Sequence, residues 1–228
     1  TSLSPNTMYT RQVRAYANIA YSDNCASTYS CRAYGAPTYA KYDPVWRSGI
    51  WSDGRLLCGF VKFNIGDLPS DASVTDAKLY CYCFDETTNF YIDIRTISID
   101  PSPATAAQLI TDITGSTGFL FNSSSIGRAT GYRSQALDSP ADNWIEQAIA
   151  SGTDCASLGI MHDGTASSGN YNQFYEWSHA TESYQPVLEV SYTQRGYSEN
   201  SNTATAYTLA NIPSMTNTSA TFTAQTDN

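Results

Sequence analysis

Residues 55–65 read RLLCGFVKFNI, and their spacing decides the fold class. Leu57, Val61, Phe63 and Ile65 fall on one face of an extended chain, with Lys62 and Asn64 on the other. That period of two is the signature of a β-strand with a buried face. The turn-rich stretch DLPSDASVTD (67–76) follows, and AKLYCYCFDE (77–86) repeats the alternation. Here Ala77, Leu79, Cys81 and Cys83 point inward, while Lys78, Tyr80 and Tyr82 point outward. FYIDIRTISI (90–99) opposes Ile92 and Ile94 to Asp93 and Arg95. CASLGIMHDG (155–164) and QPVLEVSYTQ (185–194) read as two more strands, the latter with Leu188, Val190 and Tyr192 on one side.

Upstream, residues 11–22 alternate with Val13, Ala15, Ala17 and Ile19 on one face, and 23–54 read as a long irregular insertion. Two short helices are expected. In DPSPATAAQLITDI (100–113), Ser102 caps and Pro103 takes the first helical position. In DSPADNWIEQAIASG (138–152), Ser139 caps, Pro140 leads and Gly152 ends the helix. Trp144, Ile145, Ala148 and Ile149 form its apolar stripe, with Trp144 as a core anchor.

The 228-residue chain carries a formal charge of −9 and only 14% charged residues, but 17 tyrosines. Acidity without a basic patch argues against a nucleic-acid partner. No apolar run approaches the roughly 18 residues of a membrane span. Starting at Thr1, the chain reads as a mature, processed one. Six cysteines, Cys25, Cys31, Cys58, Cys81, Cys83 and Cys155, make an even count that fits an oxidising compartment. Cys25 and Cys31 bracket a short polar stretch and are the candidate local disulfide, while core packing is the alternative for the rest. Asn122 and Asn217 stand in glycosylation acceptor triplets.

Catalytic chemistry is not expected. His162 precedes an Asp-Gly turn, His179 lies in a polar stretch, and neither shows metal-ligand spacing or a nucleophile elbow. Asp43, Asp53 and Asp163 lack a calcium-loop pattern. No metal and no cofactor are predicted. Binding candidates are aromatic. CRAYGAPTYAKYDPVWRSGIWSDGR (31–55) offers Tyr34, Tyr39, Tyr42, Trp46 and Trp51. NYNQFYEWSHA (170–180) adds Tyr171, Tyr175 and Trp177. Such rings suit sugar faces, protein interfaces or auxiliary core at the ends of a sandwich.

From Arg195 onward the composition turns to Thr, Ser, Asn and Ala, yet TATAYTLANI (203–212) and SATFTAQT (219–226) alternate. Tyr207, Leu209, Ala220, Phe222 and Ala224 are the apolar candidates of this extension. Two thin strands do not stand alone and require a partner.

The blocks GRLLCGFVKFNIGDLPSDASVTDAKLYCYCF (54–84), ALDSPADNWIEQAIASGTDCASLGIMH (136–162) and YQPVLEVSYT (184–193) resemble the DNRLRE domain, close to carbohydrate-binding module family 96. The resemblance covers roughly 1–193 and implies a secreted prokaryotic, jelly-roll-like antiparallel β-sandwich without catalytic residues. Family members begin with a strand before a loop like SPNTMY (4–9); here that strand has no counterpart. The expectation is therefore an all-β domain over 1–194 with one or two short helices, plus a strand-forming extension over 195–228. The extension fills the open groove, either by folding back or by entering a neighbouring copy. The leading functional expectation is a non-enzymatic extracellular or cell-surface filament subunit that polymerises with itself. The alternative is a carbohydrate-binding module of a larger secreted protein, with polysaccharide as partner.

Overall fold

A computed structural model describes residues 8–11, 16–86, 90–197 and 204–207. In chain order the elements are β1 (Met8–Arg11), β2 (Tyr16–Tyr34), β3 (Ala40–Tyr42), β4 (Trp46–Ile50), β5 (Leu56–Asn64), β6 (Ser73–Glu86) and β7 (Ile92–Thr96). There follow α1 (Ala106–Gly115), β8 (Phe119–Ser124), β9 (Gly131–Ala136), α2 (Pro140–Ala150), β10 (Cys155–His162) and β11 (Tyr171–Phe174). A 3-10 turn (Glu182–Tyr184) leads into β12 (Val187–Tyr197), and β13 is Ala204–Tyr207. The chain divides into two units, Asn18–Arg195 and the paired ends 1–17 with 196–228. In the second unit β1 runs antiparallel to β13, with Met8 opposite Tyr207. Leu209, Ala220, Phe222 and Ala224 lie outside the described residues, as does the turn SPNT at 4–7.

The larger unit is all-β and sandwich-like, with two helices, as the alternation predicts. Its strands follow the order β3-β2-β12-β6-β11-β4-β5-β10-β7-β8, with β9 on β6 and a further β2–β5 pairing that folds the sheet back on itself. β2 makes the closure. Its first half lies beside β12: Ser27 N–H donates to the Pro186 carbonyl at 3.3 Å, and Tyr192 Oη donates to Asp23 at 2.7 Å. Its second half pairs with β5, from Ser27 opposite Phe63 to Tyr34 opposite Leu57. The register shifts between Ser27 and Tyr29, the irregularity by which a strand turns a sheet corner.

β5 is buried on both faces. Val61 and Phe63 enter the core between the sheets, with Leu79, Cys81, Leu158 and Val190. Cys58 and Phe60 face the opposite way, against Ala106, Leu109, Ile110 and Ile113 of α1. That spacing, i, i+3, i+4 and i+7, is one helical stripe. Lys62 escapes burial by reaching Asp100 at 2.7 Å. Gly59 is glycine for want of room: a Cβ there would stand 2.4 Å from Trp46 Cδ1.

Several expectations need correction. Residues 23–54 are largely strand, since β2 runs on to Tyr34. Cys31 and Ala33 pack under α1, while Arg32 and Tyr34 stand opposite Gly59 and Leu57. A strand occupied on both sides shows no simple polar alternation. Ala17 and Ile19 are exposed, and Val13 and Ala15 lie outside the described residues. α1 starts at Ala106, not Pro103. Thr105 caps it, accepting from Gln108 N–H at 3.3 Å while Gln108 Oε1 accepts from Thr105 N–H at 2.9 Å. Lys41 Nζ donates to the carbonyls of Pro101, Ser102 and Ala104, holding that stretch outside the helix. α2 begins at Pro140 as expected, but Ser139 makes no side-chain cap. Gly152, at φ +69°, closes it.

All six cysteines are free thiols. Cys25 and Cys31 lie six residues apart on one strand, about 20 Å by strand rise, far beyond disulfide reach. Burial pushes the thiol pKa up, to about 11 for Cys25 and Cys83 and about 12 for Cys31, and higher still for Cys58 and Cys81. A thiol-reactive dye will label Cys155 fastest in the folded chain and all six cysteines after unfolding without reductant; labelling of fewer than six contradicts the free thiols. These groups stay neutral when folded but ionise at ordinary thiol pKa when unfolded. Their stabilisation is complete at neutral pH and is lost as pH climbs through about 11–12. Thermal melts will show a midpoint that falls steadily above pH 9.

Candidate functional site

The inward packing of Leu79, Cys81 and Cys83 turns Tyr80 and Tyr82 of β6 outward. Rings from other elements assemble on them. Tyr184, at the end of the 3-10 turn, lies 4.3 Å centroid to centroid from Tyr82. Tyr175, just past β11, stacks on Tyr184 at 5.4 Å with 7° between planes, and on Phe84 at 4.5 Å. His179 covers Tyr175 at 4.0 Å. Further along β6, Tyr80 stacks on Tyr132 of β9 at 5.8 Å, and Tyr132 is 54% exposed. Tyr80 Oη donates to Glu189, and Lys78 Nζ lies 4.9 Å over the Tyr80 ring. The result is a stripe of half-exposed rings along β6 and its neighbours.

A second cluster interleaves arginines with rings. Arg32 lies over Tyr34 and Tyr42 at 5.6 and 5.0 Å, and Arg55 over Tyr34 at 4.7 Å. Arg47 lies over Tyr171 and Trp51 at 5.2 and 5.9 Å. Trp51 joins the groups, 5.6 Å from Tyr34 and 5.3 Å from Tyr171. Arg55 is bound by Asp53 at 2.8 Å, which holds the Asp53 carboxyl below its ordinary range. Arg32 and Arg47 have no such anchor: Nε and Nη1 of Arg32 and Nε of Arg47 are buried without an acceptor. Burial, then the charge of Arg32, pushes the Arg47 pKa down.

The two clusters share one surface. On β11, Asn172 and Phe174 are buried, so Tyr171 and Gln173 face the other way. Gln173 stands opposite Arg47 on β4 and Asp85 on β6. Asp85, Gln173 and Arg47 thus bridge the tyrosine stripe and the arginine cluster. A separate groove of about 710 Å³ lies between α2 and β10, with Trp144, Gln147, Lys62 and Asp100 in its walls.

The predicted aromatic set divides. Tyr42 and Tyr39 are exposed, and Trp51, Tyr171, Tyr175 and Trp177 are half-buried. Trp177 N–H donates to Ser30 Oγ at 3.3 Å. Trp46 is a correction: it is wholly buried, 4.8 Å from Phe174, and Tyr34 is 4% exposed. Trp46 packs in the core, and Tyr34 is covered by Arg32, Arg55, Tyr42 and Trp51, so neither ring offers a free face. Asn122 is exposed on β8, and Asn217 lies outside the described residues. Tyr207 ends β13. Sequence reading missed Tyr80, Tyr82, Phe84, Tyr132 and Tyr184 as site residues, although the outward alternation of Tyr80 and Tyr82 was the available signal. It missed the arginines because net acidity conceals a local positive cluster.

His162 Nδ1 accepts from Gly164 N–H at 2.9 Å within its turn, and burial pushes its pKa down. His179 Nδ1 accepts from Thr181 N–H at 3.1 Å. Asp43 accepts from Tyr29, and Asp163 from Thr165 and Ser123. Among the described residues no three His, Cys, Asp or Glu side chains gather for a metal, and no helix is long and apolar enough to cross a membrane.

Fold and site together define a β-sandwich with an aromatic, arginine-flanked outer face. No family model matches the chain, and no curated protein matches it. The contrast between buried and surface rings is directly testable: Trp46→Ala will cost about 3–5 kcal/mol in urea unfolding. Trp51→Ala will cost about 1 kcal/mol.

Proposed function

We propose that this chain is a non-enzymatic, extracellular polysaccharide-binding module, with the aromatic–arginine face as its binding surface. The observation that carries the reading is the continuity of that face. The part-exposed rings of Tyr82, Tyr132 and Tyr184, propped by Tyr175, offer surfaces for the C–H faces of sugar rings. Arg32 and Arg47 set guanidinium groups among those rings, and an oxygen-rich chain supplies acceptors for such groups. Guanidinium geometry favours carboxylates over hydroxyls. The resemblance to DNRLRE domains supports the same reading and a prokaryotic secreted setting.

A second reading, self-assembly into a surface filament by strand complementation, is favoured by a different observation. Asn18–Asn24 of β2 have β12 on one side and, among the described residues, no strand on the other. An exposed edge of this kind is a template for an added strand from another copy.

Affinity electrophoresis through gels containing neutral xylan, soluble cellulose derivatives, polygalacturonate or alginate tests the first reading. At least one gel will retard the chain, and the double variant Tyr175→Ala/Tyr184→Ala will bind at least about tenfold more weakly, the loss of roughly 1.4 kcal/mol. Retardation by none of them, or equal retardation of the variant, overturns it. Sedimentation velocity on the same sample reads the second: concentration-dependent polymers support assembly, and a monomer at all concentrations removes it.

A further inference from the structure

Three side chains in register across β4, β11 and β6 carry buried polar atoms with nothing to bind. Asn172 stands opposite Ser48 on one side and Glu86 on the other. Directly opposed residues of antiparallel strands share a face, with Cβ atoms about 5 Å apart. Asn172 and Ser48 are fully buried. Asn172 Oδ1 and Nδ2, Ser48 Oγ and Glu86 Oε2 are all shielded from solvent, and none has a hydrogen-bond partner. Nor does Glu86 form an ion pair among the described residues. A buried, unpaired carboxylate oxygen beside an unpaired amide and hydroxyl is a costly arrangement unless something occupies the space between them.

A neighbouring loop packs directly on the amide. A Cβ on Gly127 would stand 2.3 Å from Asn172 Nδ2 and 2.7 Å from Ile92 Cδ1, so only glycine lets the loop close over the amide. Cys83 Sγ lies 3.9 Å from the Gly127 carbonyl, and the Glu86 charge adds to burial in raising that thiol's pKa.

We propose that Glu86, Asn172 and Ser48 form a buried site for a hard divalent cation, with calcium fitted best by the donors. A carboxylate, an amide oxygen and a hydroxyl are all oxygen donors, and calcium accepts mixed oxygen sets completed by water. Magnesium demands a tighter octahedron. The site joins β4 and β6 through β11, three of the strands that carry the arginine–tyrosine face, so an ion there fixes that part of the face from behind. No spacing motif reveals it, because each donor comes from a different strand.

The intact chain, freed of metal with EDTA and then dialysed, is titrated with Ca²⁺ by calorimetry and with Tb³⁺ by luminescence excited through tryptophan. Trp46, two residues from Ser48, is the internal antenna. One equivalent will bind, tryptophan-sensitised Tb³⁺ emission will appear, and saturating Ca²⁺ will raise the thermal midpoint by about 5 °C. Glu86→Gln will weaken Ca²⁺ at least tenfold. Asn172→Leu, with an unchanged circular dichroism spectrum, will lose the calcium-dependent rise. Absence of binding to the folded chain, undiminished binding by Glu86→Gln, or an Asn172→Leu variant equally stabilised by Ca²⁺ overturns the proposal.

Discussion

Burial of β5 on both faces is the constraint on which the rest of the larger unit depends. Val61 and Phe63 hold the core between the sheets, while Cys58 and Phe60 give α1 its seat. A strand with two apolar faces needs cover on both sides and a pairing partner along each edge. β2 takes one edge; β10 takes most of the other, with β4 meeting the strand's first residues on that same edge. Reaching β5 forces β2 through the corner at Ser27–Tyr29, and this closes the sandwich. The same arrangement explains the free thiols. Five cysteines serve as small apolar side chains in two separate packing clusters, a common role for buried cysteine.

The outer face follows from that core. With Cys81 and Cys83 drawn inward, Tyr80 and Tyr82 must stand outward; with Asn172 and Phe174 inward, Tyr171 and Gln173 must as well. The register shift at Gln173/Phe174 sets Asp85, rather than Phe84, opposite Gln173. Phe84 is thereby free to stack on Tyr175. Ring-on-ring and guanidinium-on-ring contacts hold these side chains in fixed orientations, and such preorganised planes suit a ligand that is itself a series of flat rings. The same face concentrates three arginines in a chain of net charge −9, so local and overall electrostatics have opposite signs.

Where one face of a strand is polar, the sequence speaks clearly. β6 and β12 read true residue by residue, since Lys78, Tyr80 and Glu189 mark the solvent side of Leu79, Leu188 and Val190. β2 did not, because Ser30 and Tyr34 are buried just as Cys31 and Ala33 are. Trp46 and Trp51 illustrate the limit for the site. Both sit in the same aromatic-rich stretch, yet one packs on Gly59 and Phe174 and the other stands among arginines. Only the pairing of β4 with β11 separates them. Tyr184 was equally illegible: it joins Tyr82 across about a hundred residues, through a turn that no local pattern announces.

The most direct test of the central claim is an aromatic-resolved NMR titration with the soluble oligosaccharide that binds best. The rings of Tyr82, Tyr175, Tyr184 and Trp51 will shift together and saturate with one binding curve, while Trp46 and Phe63 stay in place. Shifts confined to Trp144 in the groove between α2 and β10, or no ring shifts with any oligosaccharide, would contradict it.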